Sequence, residues 1–114
     1  KENMGYFYLI IAIIGEVVGT LSLKSSNGFT AITPSILVIV GYGVAFYFMI
    51  LSMKTIPVAI TYSIWSGVGI AAVTFIASMK FNEKPDIFAF IGLSFIIIGI
   101  IILVSLSKMG AKIS

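Results

Sequence analysis

The chain contains no cysteine and no histidine. The first absence excludes disulfide frameworks, thiol nucleophiles and thiolate metal sites. The second removes the commonest metal ligand and the side chain best suited to proton transfer near neutral pH. Charge is scarce as well, with four acidic and seven basic residues making up 10% of the 114. All seven basic residues are lysines, set singly at the ends of apolar runs or near the termini. Nothing in that pattern forms a basic stripe, so nucleic acid is not an expected partner. These gaps exclude most enzyme chemistry, and no catalytic residue, metal or cofactor is expected.

What is present is apolar surface, 60% of the residues. A chain of this composition belongs in a bilayer, where each crossing needs about 20 mostly apolar residues. Four such runs fit, at about 4–23, 34–53, 58–79 and 87–107, giving an all-α membrane protein in a single four-helix domain. Pro34 can begin the second helix and Pro57 stands just before the third, both places where a missing N–H does no harm. The break "KTIP" is so short that the second and third helices must be antiparallel neighbours. The turn "KFNEKPD" holds four of the eleven charges and ends the third span. No loop exceeds ten residues, so function is expected inside the membrane. The first run is of span length and no small-residue cleavage site follows it, so a removable signal peptide is not expected.

Orientation follows from lysine counts on short loops. One side collects Lys1, Lys54, Lys108 and Lys112, the other Lys24, Lys80 and Lys84. An imbalance of one is a weak instruction. It is compatible with an orientation set by other means, or with dual topology, in which copies insert both ways up and pair head to tail as internal repeats do in many transporters.

Within this frame one residue is out of place. Glu16 interrupts "YLIIAIIGEVVGTLSLK", about 18 Å along the helix from Met4 and about 10 Å from Leu23. An ionisable group at that depth costs about 2.5–3.5 kcal/mol to insert and usually faces a cavity or a partner. No other charge lies within any span, so a proton or a cation from outside the chain must balance it. The structural alternative is a protonated acid that merely hydrogen-bonds a neighbouring helix. Ala12 and Thr20 at four residues either side, with Gly19, give the acidic face small neighbours that leave room for a ligand or a close helix.

The third run opens with "TYSIWSGVGIA". Tyr62 and Trp65 share a helix face, with Ser66 and Gly69 beside it. Aromatic faces attract organic cations at about 0.5–2 kcal/mol per contact without demanding directional hydrogen bonds. The competing reading is an interfacial aromatic belt. Gly67 and Gly69 permit a bend or a close approach. Tyr42, in "GYG", is deep enough to line the same cavity, whereas Tyr6 and Tyr8 sit where interfacial anchors belong. In the fourth run Ala89, Gly92 and Gly99 present small residues for close packing, which favours an oligomerisation helix over a lipid-facing filler.

Taken together, "GEVVGTLSLKSSNGFT", "PSI", "IPVAITYSIWSGVGI" and "GLSFIIIGI" resemble the small multidrug resistance family over essentially the whole chain. Gly19-Thr20 after the acid is similar to the quaternary ammonium and multidrug branch, since the guanidinium-exporting branch typically has Trp at the Gly19 position. Thr61 and Lys54 depart from the multidrug pattern, where a small Ala and an apolar residue are usual. The resemblance implies an antiparallel homodimer in the bacterial plasma (inner) membrane that exchanges protons for lipophilic organic cations at a site shared by two copies of Glu16. It also implies that Tyr62 and Trp65 pack the substrate, Tyr42 and Ser66 line or orient the site, and Tyr6 helps gate it. Gly67 and Gly69 would form a helix kink, and Gly92 and Gly99 would pack the dimer. Guanidinium export and a non-transporting membrane subunit are the alternatives.

Overall fold

The computed structural model describes residues 2–108, with side chains from Met4 onward; Lys1 and Lys112 lie outside the described residues. Four helices follow one another: α1 (Glu2–Ser25), α2 (Ile32–Ser52), α3 (Val58–Lys80) and α4 (Ile87–Ser105). Each holds an apolar stretch of 19–23 residues, about 28–35 Å at 1.5 Å per residue, enough to cross the hydrocarbon layer.

Local chemistry sets the ends. α1 stops at a turn in which Asn27, Gly28 and Phe29 all take left-handed backbone angles, φ 51°, 69° and 68°. Gly28 and Asn27 suit that region, and Ser26 steadies it: its hydroxyl donates to the Leu23 carbonyl and accepts from the Phe29 N–H. α2 begins two residues before Pro34, which occupies the third helical position. The first N–H groups of a helix have no intrahelical acceptor, so the ring forfeits no bond there either. Pro57 stands at the N-cap position of α3 without a side-chain cap, and the Asp86 carboxylate caps α4 by accepting from the Ala89 N–H at 2.9 Å.

Packing is uneven. α1 and α2 form the main pair and cross through glycine: a Cβ placed on Gly15 would lie 2.7 Å from the Gly41 carbonyl oxygen, and one on Gly41 would lie 2.8 Å from the Gly19 nitrogen. Without a hydrophobic drive between helices in lipid, such close backbone approach is what gives the pair its dispersion energy. Ser52, fully buried, ties the far end by donating to the Gly5 carbonyl at 3.1 Å. Despite the short break between α2 and α3, α3 leans on α1 and hardly on α2, and α4 touches α3, where Ile100 seats on Gly67. None of α4 is buried.

At one end of the bundle Lys24 pairs with Glu83, and Lys24 and Lys80 flank the Phe81 ring at 5.1 and 5.7 Å. The pair is more than half exposed on the lysine side, so it adds little stability. It does fasten the end of α1 to the α3–α4 turn.

Candidate functional site

Glu16 stands on the side of α1 that faces α3. Its carboxylate accepts a hydrogen bond from the Thr20 hydroxyl at 2.6 Å, one helical turn on. Across the gap Gly69 makes space for it, since a Cβ there would lie 2.5 Å from Oε1. Thr20 also lies 2.8 Å from the Tyr42 hydroxyl on α2, so three groups from two helices form a chain: Glu16, Thr20, Tyr42. With one proton on each hydroxyl, Thr20 donates to the carboxylate and accepts from the tyrosine.

This carboxylate opens into a cleft of about 380 Å³ between α1 and α3. α1 contributes Glu16 and Thr20; α3 contributes a continuous stripe of Tyr62, Trp65, Ser66 and Gly69, extended by Ile70, Val73 and Thr74. The rings form a wall, with centroids 5.7 Å apart for Tyr62–Trp65, 6.2 Å for Trp65–Phe46 and 6.2 Å for Phe46–Tyr42. A single carboxylate against this aromatic surface can hold a cation by charge and by ring face together. The Trp65 indole N–H is buried, and it is the one buried side-chain polar atom among the described residues without a hydrogen-bond partner. Tyr62 remains 57% exposed, so the cleft lacks a wall on one side.

Sequence reasoning located Glu16, Thr20, Tyr62, Trp65, Ser66 and Gly69, which meet in this cleft. Tyr42 reaches it through Thr20. Ala12 and Gly19 sit elsewhere: Ala12 is fully buried and Gly19 lies under the Tyr42 ring, where a Cβ would be 3.2 Å from the nearest ring carbon. Both serve helix packing, and Gly19 sets where Tyr42 can lie. Tyr6 is ten residues before Glu16, about 15 Å along α1, and is not part of the cleft lining. α3 is helical throughout Gly67 and Gly69, and each acts by admitting a neighbour, Ile100 and Glu16 respectively. A Cβ on Gly92 or Gly99 would meet nothing within 4 Å beyond α4 itself. The two departures from the multidrug pattern do not touch the cleft, Thr61 being fully buried and Lys54 exposed in the α2–α3 turn.

Phe46, Ile70, Val73 and Thr74 were missed. The last three follow from carrying the Tyr62/Trp65 stripe on by three and four residues, which the helical period allows. Phe46 carried no comparable signal, because nothing local distinguishes it from the other phenylalanines of the apolar runs.

Similarity to known proteins agrees with this geometry. The chain is 48% identical over 107 residues to the quaternary ammonium compound-resistance protein QacE of Escherichia coli, covering 94% of this chain and 97% of that one. It is 47% identical to QacF of Klebsiella aerogenes, covering 93% and 96%. A putative ethidium bromide resistance protein of Escherichia coli is 50% identical over 93 residues, 82% of this chain and 81% of that one. Residues 4–98 match the Small Multidrug Resistance protein family, and with four span-length helices and an acid-bearing cleft the chain belongs to that family, as a multi-pass protein of the bacterial plasma membrane.

Proposed function

We propose that this protein is a proton-coupled exporter of lipophilic organic cations, acting as an antiparallel homodimer by alternating access. The observation that carries this is the placement of Glu16: the sole acid within the four spans among the described residues opens into a cleft walled by Tyr62 and Trp65. The names of the relatives, quaternary ammonium and ethidium resistance proteins, point to the same substrate class, that of bulky cations with much apolar surface.

The mechanism is competition. A carboxylate in apolar surroundings is poorly stable as a lone charge. It is neutralised either by a proton or by the cation, and each displaces the other. Thr20 donates to the ionised form and Tyr42 backs Thr20, so the hydroxyl chain orients the carboxylate toward the cleft. The aromatic wall supplies affinity without fixed hydrogen-bond geometry, which allows a broad range of substrates. A second copy inserted the other way up would close the open side beyond Tyr62 and cover α4. Its two faces would then be related by symmetry, with inward- and outward-open states of nearly equal free energy.

The test is a titration of tetraphenylphosphonium binding against pH. Protons compete for the carboxylate, so affinity should fall as pH is lowered and recover on return. An affinity independent of pH would remove the coupling. Guanidinium ions should compete poorly with tetraphenylphosphonium; the reverse order would assign the protein to guanidinium export.

Gly69→Ala tests the geometry. The added methyl would lie 2.5 Å from Oε1, closer than contact allows, and turns the carboxylate away from α3, while the flexible side chain lets the fold survive. Binding of tetraphenylphosphonium should weaken about tenfold, equivalent to about 1.4 kcal/mol, with assembly unchanged by size-exclusion chromatography. Unaltered affinity would show that the carboxylate does not work from this position.

A further inference from the structure

A pocket of about 300 Å³ opens where the start of α1 meets the α2–α3 turn. Met4, Gly5 and Tyr8 line it from α1, Leu51 from the end of α2, and Lys54 and Thr55 from the turn. Its walls are fixed: Ser52 donates to the Gly5 carbonyl, Ile56 is buried, and the Thr55 hydroxyl oxygen fills the space that a Cβ on Gly5 would take. The fold leaves its donors unused. Lys54 is exposed and forms no ion pair, Lys24–Glu83 being the pair found among the described residues, and neither the Tyr8 nor the Thr55 hydroxyl has a hydrogen-bond partner among them. Lys54 stands just beyond the apolar span of α2 and Met4 begins that of α1, so the pocket lies at the level of lipid head groups. Tyr8 is about 12 Å along α1 from Glu16. No lining residue comes from α3 or α4, the helices on the side that the second copy proposed above would cover.

We infer that this pocket binds the phosphate of an anionic membrane lipid, with the Lys54 ammonium balancing its charge and the Tyr8 and Thr55 hydroxyls donating to its oxygens. Hydrogen bonds to an ionised acceptor are stronger than those between neutral groups, so an unpaired lysine beside two free hydroxyls suits a phosphate. The surroundings favour a lipid over a free phosphate ion. Met4 and Leu51 give the pocket apolar walls. Tyr47, one turn from Leu51 toward the membrane interior, is exposed and continues that face, along which an acyl chain can lie. A free ion would use the donors alone and gain nothing from this surface. Bound here, the lipid would bridge the start of α1 and the α2–α3 turn and stabilise that end of the bundle.

The experiment measures binding of phosphatidylglycerol to the delipidated full chain in dodecyl maltoside, by native mass spectrometry and by the rise in unfolding temperature. Wild type should bind this lipid and be stabilised by it, whereas diacylglycerol, which lacks the phosphate, should do neither. Lys54→Gln should weaken binding about fivefold, and Lys54→Arg should preserve it. Tyr8→Phe, which keeps the ring against Phe48, should weaken it about threefold. Lys108→Gln removes the same charge on the same side of the membrane by helix count, outside the pocket, and should leave binding unchanged. Equal losses from Lys54→Gln and Lys108→Gln would mean diffuse attraction to a basic surface and overturn the inference. So would absence of phosphatidylglycerol binding by wild type, equal binding of diacylglycerol, or displacement of the lipid by inorganic phosphate, which would assign the donors to a free ion.

Discussion

Glu16→Gln is expected to lose tetraphenylphosphonium binding by at least 30-fold and to abolish proton-coupled export, while inserting and assembling as wild type does. Removing one member of a desolvated charge pair costs about 2–5 kcal/mol, and the lower figure is already roughly 30-fold in affinity. The amide keeps the size of the acid and can still accept from Thr20, so the α1–α2 pair and the cleft should persist. It cannot, however, exchange a proton. Whatever residual binding survives should therefore be insensitive to pH. The measurements are equilibrium binding at two pH values and uptake of a labelled cation into acid-loaded vesicles. A variant that transports normally would leave the carboxylate a merely structural hydrogen-bonding group and sink the exchange mechanism.

Gly41→Val should unfold or disassemble the protein. A Cβ at this position meets the Gly15 carbonyl oxygen at 2.7 Å, the Gly19 nitrogen at 2.8 Å and the Gly19 Cα at 3.0 Å, all of them backbone atoms that no rotamer change can move. Overpacking ordinarily costs about 1–3 kcal/mol, and a β-branched side chain against a rigid helix belongs at the upper end. Separation of α1 from α2 would also draw Tyr42 off Thr20 and free the carboxylate to turn. Gly43→Val is the control, because a Cβ on Gly43 would meet nothing within 4 Å beyond α2 itself. Denaturation by sodium dodecyl sulfate in mixed micelles should rank Gly41→Val far below both wild type and Gly43→Val. Equal midpoints for the two variants would mean that the glycine crossing does not hold the pair together.

How much of this was legible beforehand differs from residue to residue. Glu16 was conspicuous because a bilayer penalises charge heavily, so one acid in an apolar run carries a strong signal. Tyr62, Trp65, Ser66 and Gly69 followed from helical spacing, a property local to one segment. Gly19 and Gly41 were harder. A small residue beside an acid is equally suited to opening a pocket and to admitting a helix, and only the position of α2 shows that Gly19 lies under a tyrosine ring. Gly67 and Gly69 posed the same ambiguity, since flexibility and close approach both call for a missing side chain. Thr20 was identified as a small neighbour of the acid, but its bond to Tyr42 joins residues 22 apart in the chain and could not be read from spacing.

Composition and period by themselves determined that this chain is a set of four membrane-crossing helices with one acid buried at depth. Both properties arise from transfer energies and a 3.6-residue repeat, which act within a single segment. Which helices touch, and through which faces, was decided by tertiary structure alone. In lipid every helix is apolar on all sides, so hydrophobicity does not mark the inward face, and the choice passes to backbone fit at Gly15, Gly19 and Gly41 and to the space that Gly69 leaves for a carboxylate.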